Sequence, residues 1–146
     1  MKIIYYGEYS LGLPLIVASF YLGIINTKEE LEDKLTMFEL NNEQNSGELI
    51  SIGIDELGNE VFVLGCKDQV SLVKRMLLGF KEIFMLDNEV LLIETTPFNN
   101  SLIKIGKILI KLGFGSFGFS VVKSGIKSDY AQIKQQATKI KERITN

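Results

Sequence analysis

The chain of 146 residues is 46% hydrophobic and 23% charged, carries a formal net charge of −2, and contains one cysteine and no histidine. This length and composition indicate one globular domain that folds without disulfides. A single cysteine favours a reducing compartment, so we expect a cytoplasmic protein. The first residues show no signal-peptide pattern, and no apolar run approaches the roughly 20 residues of a membrane-spanning helix.

Strand-like and helix-like segments alternate from the start of the chain. Lys2–Tyr6 is an apolar run rich in Ile and Tyr, which predicts a buried strand. Pro14–Leu22 opens with a proline and is apolar on all sides, as expected for a buried helix. Thr27 and Glu30 have the spacing of a capping box, which predicts a short acidic helix, and the polar residues 41–47 predict a loop.

The middle of the chain predicts a hairpin, a helix and a further strand. Glu48–Ile54 and Glu60–Gly65 have strand character and flank the turn residues 55–59. A helix is expected over Asp68–Phe84, and Val90–Ile93 is typical of a strand covered on both faces of a sheet. The apolar side of that helix contains Val73, Leu77, Phe80 and Phe84.

The last third of the chain predicts two helices. Asn99 or Asn100 caps a helix over Leu102–Leu112, the Gly/Phe-rich residues Gly113–Ser120 predict a connection, and a final helix begins near Asp129. The apolar residues of that final helix repeat at intervals of 3 and 4: Tyr130, Ile133, Ala137, Ile140 and Ile144.

This alternation, with its one hairpin, predicts a single three-layer α/β domain over residues 1–146, with a mixed, mainly parallel sheet in a P-loop-like or Rossmann-like layout. The first and fourth strands are expected to be parallel neighbours. Charge is distributed unevenly: residues 1–96 contain 7 basic and 16 acidic side chains (−9), whereas residues 97–146 contain 9 and 2 (+7). Halves of opposite charge attract one another within one fold or between copies, or they give the basic C-terminal surface an anionic partner. Solvated helix faces are the favoured interpretation.

The loop after the first strand has the position of a phosphate-binding loop, and its candidate ligand-binding residues are Gly7, Glu8, Ser10 and Gly12. A P-loop requires the pattern GxxxxGK[ST], and Gly7 and Gly12 have the required spacing. Leu13 and Pro14 stand where Lys and Ser or Thr are needed. Pro14 also lacks an N–H donor, and Glu8 repels an anion. A structural turn is therefore favoured over a nucleotide site, and no cofactor is expected.

A second candidate site lies at the end of the fourth strand and consists of Glu94, Thr95, Thr96 and Asn99. Ligand crevices of open α/β sheets form at the carboxyl ends of central strands, where we place Glu94. Glu94 has the chemistry of a general base or metal ligand, and the two threonines supply hydroxyls. The alternative is a solvated strand end with Asn99 as a plain helix cap.

The remaining reactive or charged groups favour structural roles. Cys66 has no histidine to act as its base, and one cysteine without histidine cannot form an ordinary zinc site, so we expect neither thiol catalysis nor a metal. Lys104, Lys107 and Lys111 alternate with apolar residues, a pattern that also fits a helix bound to an anionic membrane. Further basic residues add charge that could attract nucleic acid, but no recognition motif is present: Lys123, Lys127, Lys134, Lys139, Lys141 and Arg143. A helix packed on the sheet with a solvated lysine stripe is favoured, so neither partner is expected.

Five stretches of the sequence carry a family resemblance: KIIYY at Lys2–Tyr6, IGIDELGNEVFVLG at Ile52–Gly65, ETTPFNN to IGK at Glu94–Lys107, Gly118, and SGI at Ser124–Ile126. Through them the chain resembles, over nearly its whole length, a bacterial family of uncharacterised proteins, domain of unknown function 3189. The family supplies no known activity, so the resemblance implies a scaffold and not a reaction.

Several polar groups of the resembled family have apolar replacements here. The family's paired glycines fall at Tyr9 and Ser10, and its first histidine falls at Gly12. Its serines fall at Leu13 and Pro14, and its second histidine falls at Tyr21. The family's Gly-Gly pair falls at Gly106-Lys107, and its Ser-Arg pair falls at Leu109-Ile110. A later arginine of the family falls at Phe119. The resemblance therefore implies a degenerate site and a non-catalytic interaction or regulatory protein.

Apolar residues at a former site either fill it or form a contact surface, so an interface is expected at Leu11, Leu13 and Leu15. The expected assembly is a homo-oligomer, or a hetero-oligomer with a related protein. The alternative is a small-ligand or anion-binding protein, or an enzyme, that uses Glu94–Thr96.

Overall fold

A computed structural model describes residues 1–8, 12–40 and 46–146, with the backbone alone over 36–40. Within these ranges lie the strands β1 (Lys2–Gly7), β2 (Leu49–Ile54), β3 (Glu60–Gly65) and β4 (Val90–Glu94). The helices are α1 (Leu13–Tyr21), α2 (Lys28–Leu40), α3 (Val70–Ile83), α4 (Ser101–Lys111), α5 (Gly115–Ser128) and α6 (Tyr130–Thr145). Most of the loop predicted at 41–47 lies outside the described residues.

The strands form one sheet in the order β2-β3-β1-β4. β1 pairs in parallel with β3 and with β4, whereas β2 pairs antiparallel with β3 through the predicted hairpin. The predictions of an α/β fold with a mixed, mainly parallel sheet, and of β1 and β4 as parallel neighbours, are confirmed. The placement of β4 as a central strand is wrong. β4 lies at the edge of the described sheet, and it has a continuous apolar sequence because side chains pack on both of its faces.

Alternate residues of β1 point to opposite faces of the sheet and divide the core in two. Ile3 and Tyr5 are buried in the larger cluster, which includes residues of α1, α2, α5 and α6. Ile4 and Tyr6 are buried on the other face, where the contacts from helices come from Val70, Val73 and Leu77 of α3. The three predicted layers are present, and among the described residues α3 is the one helix that covers the second face.

The packing of α3 ends before the helix does. Val73 and Leu77 pack on the sheet as predicted. Phe80 and Phe84 continue the same side of the helix, but both are more than half exposed. Their rings contact each other, with centroids 4.4 Å apart. The last turns of α3 therefore present large apolar side chains to solvent.

The prediction that Gly113–Ser120 is a connection is wrong, because α5 begins at Gly115. α4 and α5 form a helical hairpin that packs through glycines. A Cβ placed on Gly106 would lie 2.7 Å from the carbonyl oxygen of Gly118, and a Cβ on Gly118 would lie 2.7 Å from that of Gly106. Glycine disfavours a helix locally but lets two helix backbones approach this closely, so the local signal pointed to a loop.

α4 packs chiefly against α5 and not on the sheet. Large apolar side chains on this hairpin are therefore exposed. Five of them are at least half exposed, and we call them the hairpin patch: Ile105, Ile108, Leu112, Phe114 and Phe117. No helix among the described residues has the length and hydropathy needed to cross a bilayer.

Local signals placed the starts of α2 and α4 correctly. The Glu30 amide donates to Thr27 Oγ1 at 3.2 Å, and the Thr27 amide donates to Glu30 Oε2 at 3.1 Å, as in a capping box. The Ile103 amide donates to Asn100 Oδ1 at 2.9 Å, which makes Asn100 the cap of α4. Asn100 also donates through Nδ2 to Asp129 Oδ2 at 2.8 Å, so the start of α6 lies beside the start of α4.

Candidate functional site

The carboxyl edge of the sheet brings the two predicted sites together. β1 ends at Gly7 and β4 at Glu94, and the two parallel strands are directly paired, so Gly7 lies next to Thr95. Ser10 and Leu11 lie outside the described residues. The description of this edge therefore uses the other residues of the two predicted sites.

The space behind Gly7 is filled. A Cβ on Gly7 would lie 2.5 Å from Thr95 Oγ1 and 3.0 Å from Cγ of Pro14. Thr95 is 1% exposed, and its hydroxyl donates to the carbonyl oxygen of Tyr6 at 3.0 Å. Thr95 therefore joins the ends of β1 and β4, and its hydroxyl is engaged by the backbone.

Glu8 is joined to α4 by a lysine that it shares with Asn99. Glu8 Oε2 lies 2.7 Å from Nζ of Lys107, and the same Nζ donates to Asn99 Oδ1 at 3.0 Å. The Lys107 side chain is 17% exposed, so this ion pair is largely removed from solvent. Two predicted site residues are thus held together by a lysine that the sequence pattern assigned to a solvated stripe.

Glu94 is also neutralised within the chain. Its Oε2 lies 2.7 Å from Nζ of Lys74 on α3. Burial is the main cause that raises the pKa of Tyr6 to about 12, and the charge of Glu94 and a hydrogen bond to it contribute to that rise. Glu94 therefore lies between the ammonium group of Lys74 and the phenol of Tyr6. Sequence reasoning missed Lys74 because 20 residues separate it from Glu94 and only the sheet topology brings them together.

Gly12, Thr96 and Cys66 offer less for ligand binding or catalysis than the two carboxylates do. Gly12 precedes α1 as its N-cap and provides no side-chain hydrogen bond. The hydroxyl of Thr96 is buried without a hydrogen-bond partner among the described residues. Burial raises the pKa of the Cys66 thiol to about 11, against a lowering by a backbone hydrogen bond of Gly7, so the thiol is protonated at neutral pH.

The leucines predicted at an interface differ in burial. Leu13 is 7% exposed and belongs to the large core cluster, so its side chain fills the interior beneath the loop. Leu15 is half-buried. Leu11 lies outside the described residues. The large exposed apolar surfaces that the structure describes lie instead on α3 and on the α4–α5 hairpin.

A groove of about 810 Å³ opens beside β4, with α6 as its other wall. Glu94 and Asn99 line it, and Arg143 of α6 lines it as well. The start of α6 lies at the carboxyl end of β4, so Arg143, about 20 Å further along the helix axis, lies toward the other end of the groove. Sequence reasoning missed Arg143 because it treated the basic C-terminal helix as a solvated surface.

The described residues contain no group of three or more His, Cys, Asp or Glu side chains placed to hold a metal ion. At the carboxyl edge the arrangement offers two carboxylates, each within 2.7 Å of a lysine. Such pairs stabilise charge and hold elements together, and they leave neither carboxylate as an unpaired base.

The stretches that carry the family resemblance build this scaffold. Thr95 joins two strands, and Asn100 joins α4 to the start of α6. Gly106 and Gly118 permit the helical hairpin. Asp55, in the β2–β3 turn, accepts hydrogen bonds from the hydroxyl of Tyr21 and from the amide of Asn59.

Comparison with curated proteins and with solved structures gives no significant match. A family model matches residues 2–142, nearly the whole chain, and its description is a protein of unknown function. The chain therefore belongs to the family of proteins of unknown function DUF3189.

Proposed function

We propose that this chain is a non-catalytic interaction protein that forms oligomers through an apolar surface on α3. One observation carries the proposal. Five large apolar side chains around the end of that helix are each more than half exposed, and we call them the α3 patch: Met76, Phe80, Ile83, Phe84 and Met85. Contiguous apolar patches of this kind on a protein surface mark sites of protein contact.

The backbone at Met85 adds to this argument. Met85 follows the cap of α3 with φ +55° and is 87% exposed. Glycine or asparagine is preferred at such a left-handed position after a helix, and a larger side chain costs about 1 kcal/mol. Met85 therefore departs from two local preferences, one for backbone conformation and one for burial. Departures of this kind concentrate at functional positions.

The carboxyl edge supports the non-catalytic part of the proposal. Lys107 stands where the resembled family carries the second of two glycines, and it pairs with Glu8 at 2.7 Å. Leu13 stands where the family carries a serine, and it is part of the core. In a degenerate site of this kind, ion pairs and apolar packing occupy the place of reactive groups.

The substitution Met85→Gly tests the proposal because it should raise the stability of the dissociated chain and, at the same time, weaken its association. Glycine relieves about 1–2 kcal/mol of left-handed backbone strain but adds conformational entropy to the unfolded chain. The dissociated chain should therefore gain up to about 1 kcal/mol in its free energy of unfolding. The same change removes an exposed apolar side chain from the α3 patch, so association should weaken. Urea unfolding at low concentration and sedimentation velocity across a dilution series measure the two effects.

Leu57→Ser is the control, because Leu57 is also an exposed apolar side chain, at 59%, but lies in the β2–β3 turn. Asp55 and Glu56 of that turn contact α1 and α6, which pack on the opposite face of the sheet from α3. Leu57→Ser should leave association unchanged. If Met85→Gly associates as the wild type does, or if the wild type is a monomer at all concentrations, the proposal is contradicted.

The groove beside β4 favours a second candidate function, the binding of a small apolar anion. Its walls are mainly apolar, with Ile93, Ile133 and Ile140 among the lining residues. Arg143 has no ion-pair partner among the described residues, unlike Glu94, which is paired with Lys74. The Asp129 carboxylate also lines the groove, but at the start of α6, toward the end away from Arg143. Apolar walls with a guanidinium group at the other end suit a carboxylate with a hydrocarbon chain.

Octanoate and inorganic phosphate are probes that distinguish an anion with a hydrocarbon chain from an anion without one. Octanoate, but not phosphate, should raise the melting temperature of the wild type in a concentration-dependent manner. Arg143→Gln should remove that shift. The control Arg75→Gln, on the exposed side of α3, should retain it. An equal octanoate shift in all three proteins would contradict binding in the groove.

A further inference from the structure

We infer that the α3 patch of one copy binds the hairpin patch of a second copy, so that the chain assembles head to tail. This inference rests on the proposed function, since it names the partner of the α3 patch. Both patches consist of five large, mostly exposed apolar side chains. The observations that pair them are their charge and their position.

The charges around the two patches are complementary. The segment 81–89 at the end of α3 contains Lys81 and the acidic residues Glu82, Asp87 and Glu89, a net charge of −2. The segment 95–128, which forms the hairpin, contains five lysines and no acidic residue, a net charge of +5. Ion pairs with Glu8, Asp68 and Glu32 offset three of these charges, so the surroundings of the hairpin keep a net charge of +2. Opposite potentials around two apolar patches favour contact between them, whereas they disfavour the contact of either patch with its own copy.

The two patches lie at opposite ends of the molecule along the strand direction. α3 ends just before β4 begins, and the Lys2 amide donates to the carbonyl oxygen of Glu89 at 2.7 Å, so this end lies at the amino edge of the sheet. The hairpin follows β4, and the ion pair of its Lys111 with Asp68 at 3.2 Å places the end of α4 beside the segment that follows β3, at the carboxyl edge. The two patches cannot meet within one copy, so their complementarity is satisfied only between copies.

The pairing of two different patches determines the kind of assembly. The hairpin patch lies on α4, on the α4–α5 connection and at the start of α5, whereas the α3 patch lies toward the end of α3. A contact between different surfaces of two copies is heterologous, and it generates rings or open chains of subunits and not a symmetric dimer.

Two double variants test this assignment by complementation. Ile83→Ser/Phe84→Ser removes the centre of the α3 patch, and Leu112→Ser/Phe117→Ser removes the centre of the hairpin patch. Serine leaves the charges unchanged, and all four positions are exposed, so both variants should fold. Their unfolding transitions, compared with that of Leu57→Ser, verify this before association is measured.

Each variant alone should be a monomer, with an association at least about 100-fold weaker than that of the wild type. An equimolar mixture should form a 1:1 dimer of about 33 kDa, twice 16.4 kDa, and nothing larger. This follows because each copy retains one intact patch and the two intact patches are different. The wild type at the same concentration should form larger species.

Three outcomes would overturn the inference. If the hairpin variant associates as the wild type does while the α3 variant is a monomer, the proposed function stands and the α3 patch pairs with itself. If both variants are monomers and their mixture stays monomeric, the two patches do not bind each other. A monomeric wild type overturns both the inference and the proposed function. Anionic vesicles added to such a monomer would then show whether the lysine-rich hairpin binds a membrane.

Discussion

Gly106→Ala should destabilise the fold by about 2 kcal/mol. The new Cβ would lie 2.5 Å from Cγ2 of Val122, 2.7 Å from the carbonyl oxygen of Gly118 and 2.8 Å from the amide nitrogen of Val122. Two of these three atoms belong to the backbone, so no rotamer change removes the clash and α5 has to move away from α4. Overpacking of this kind costs about 1–3 kcal/mol, near the upper value when backbone has to move. The helix propensity of alanine returns about 1 kcal/mol.

Gly79→Ala is the matched control, because Gly79 lies inside α3 and a Cβ there meets nothing within 4 Å. The same chemical change should therefore stabilise the protein by about 0.5–1 kcal/mol. Urea unfolding gives both free energies. A loss of about 2 kcal/mol at Gly106 corresponds to a melting temperature lower by about 4–8 °C. Equal effects of the two substitutions, or a stabilised Gly106→Ala, would refute the close packing of α4 on α5.

Two further substitutions and one labelling reaction have defined outcomes. Hydrogen bonds from Tyr21 and Asn59 outweigh burial and hold the pKa of Asp55 below its ordinary value. Its ionised form therefore stabilises the fold above about pH 4, and that stability is lost as the pH falls through the folded-state pKa. Asp55→Asn should cost about 1–2 kcal/mol at pH 7 and less at pH 3, and an equal cost at both pH values contradicts this. Burial raises the pKa of Cys66 to about 11, so iodoacetamide at pH 8 should label native protein far more slowly than urea-unfolded protein, and equal rates would show an accessible thiolate. The buried hydroxyl of Tyr5 has no hydrogen-bond partner among the described residues. Tyr5→Phe should therefore be neutral or stabilising by up to about 1 kcal/mol in urea unfolding, and a clear loss of stability contradicts this.

Sequence reasoning succeeded where the determining signal is local. The capping box of Thr27 and Glu30 and the Asn100 cap lie within a few residues of the helices that they start. The hairpin turn is also local, because Asp55 accepts hydrogen bonds from the Leu57 and Asn59 amides within its own turn. In each case one short segment contains both partners of the hydrogen bond.

The errors arise where a residue's role is set by a distant segment. Gly118 weakens a helix by itself, and only the backbone of α4 opposite it explains why α5 is helical there. The apolar run of β4 is compatible with a central or an edge strand, and the pairing order alone decides between them. Periodicity likewise gives the apolar side of α3 but not the point, at Leu77, where its packing ends.

The candidate site illustrates the same limit. The sequence identified Glu8, Glu94 and Asn99 as polar groups near strand ends, and the fold brings them to one edge. Their lysine partners, Lys107 and Lys74, come from α4 and α3 and were unpredictable before the topology was known. Whether Leu13 fills the core or faces a partner is also decided by distant segments, and it is part of the core.

The native mass of the wild-type protein across a dilution series tests the central claim most directly. Sedimentation velocity from micromolar to submillimolar concentration should show species larger than 16.4 kDa that dissociate on dilution. Ile83→Ser/Phe84→Ser should remain a monomer over the same range. A wild type that sediments as a monomer throughout, or a variant whose mass follows that of the wild type, would contradict an interaction protein that assembles through α3.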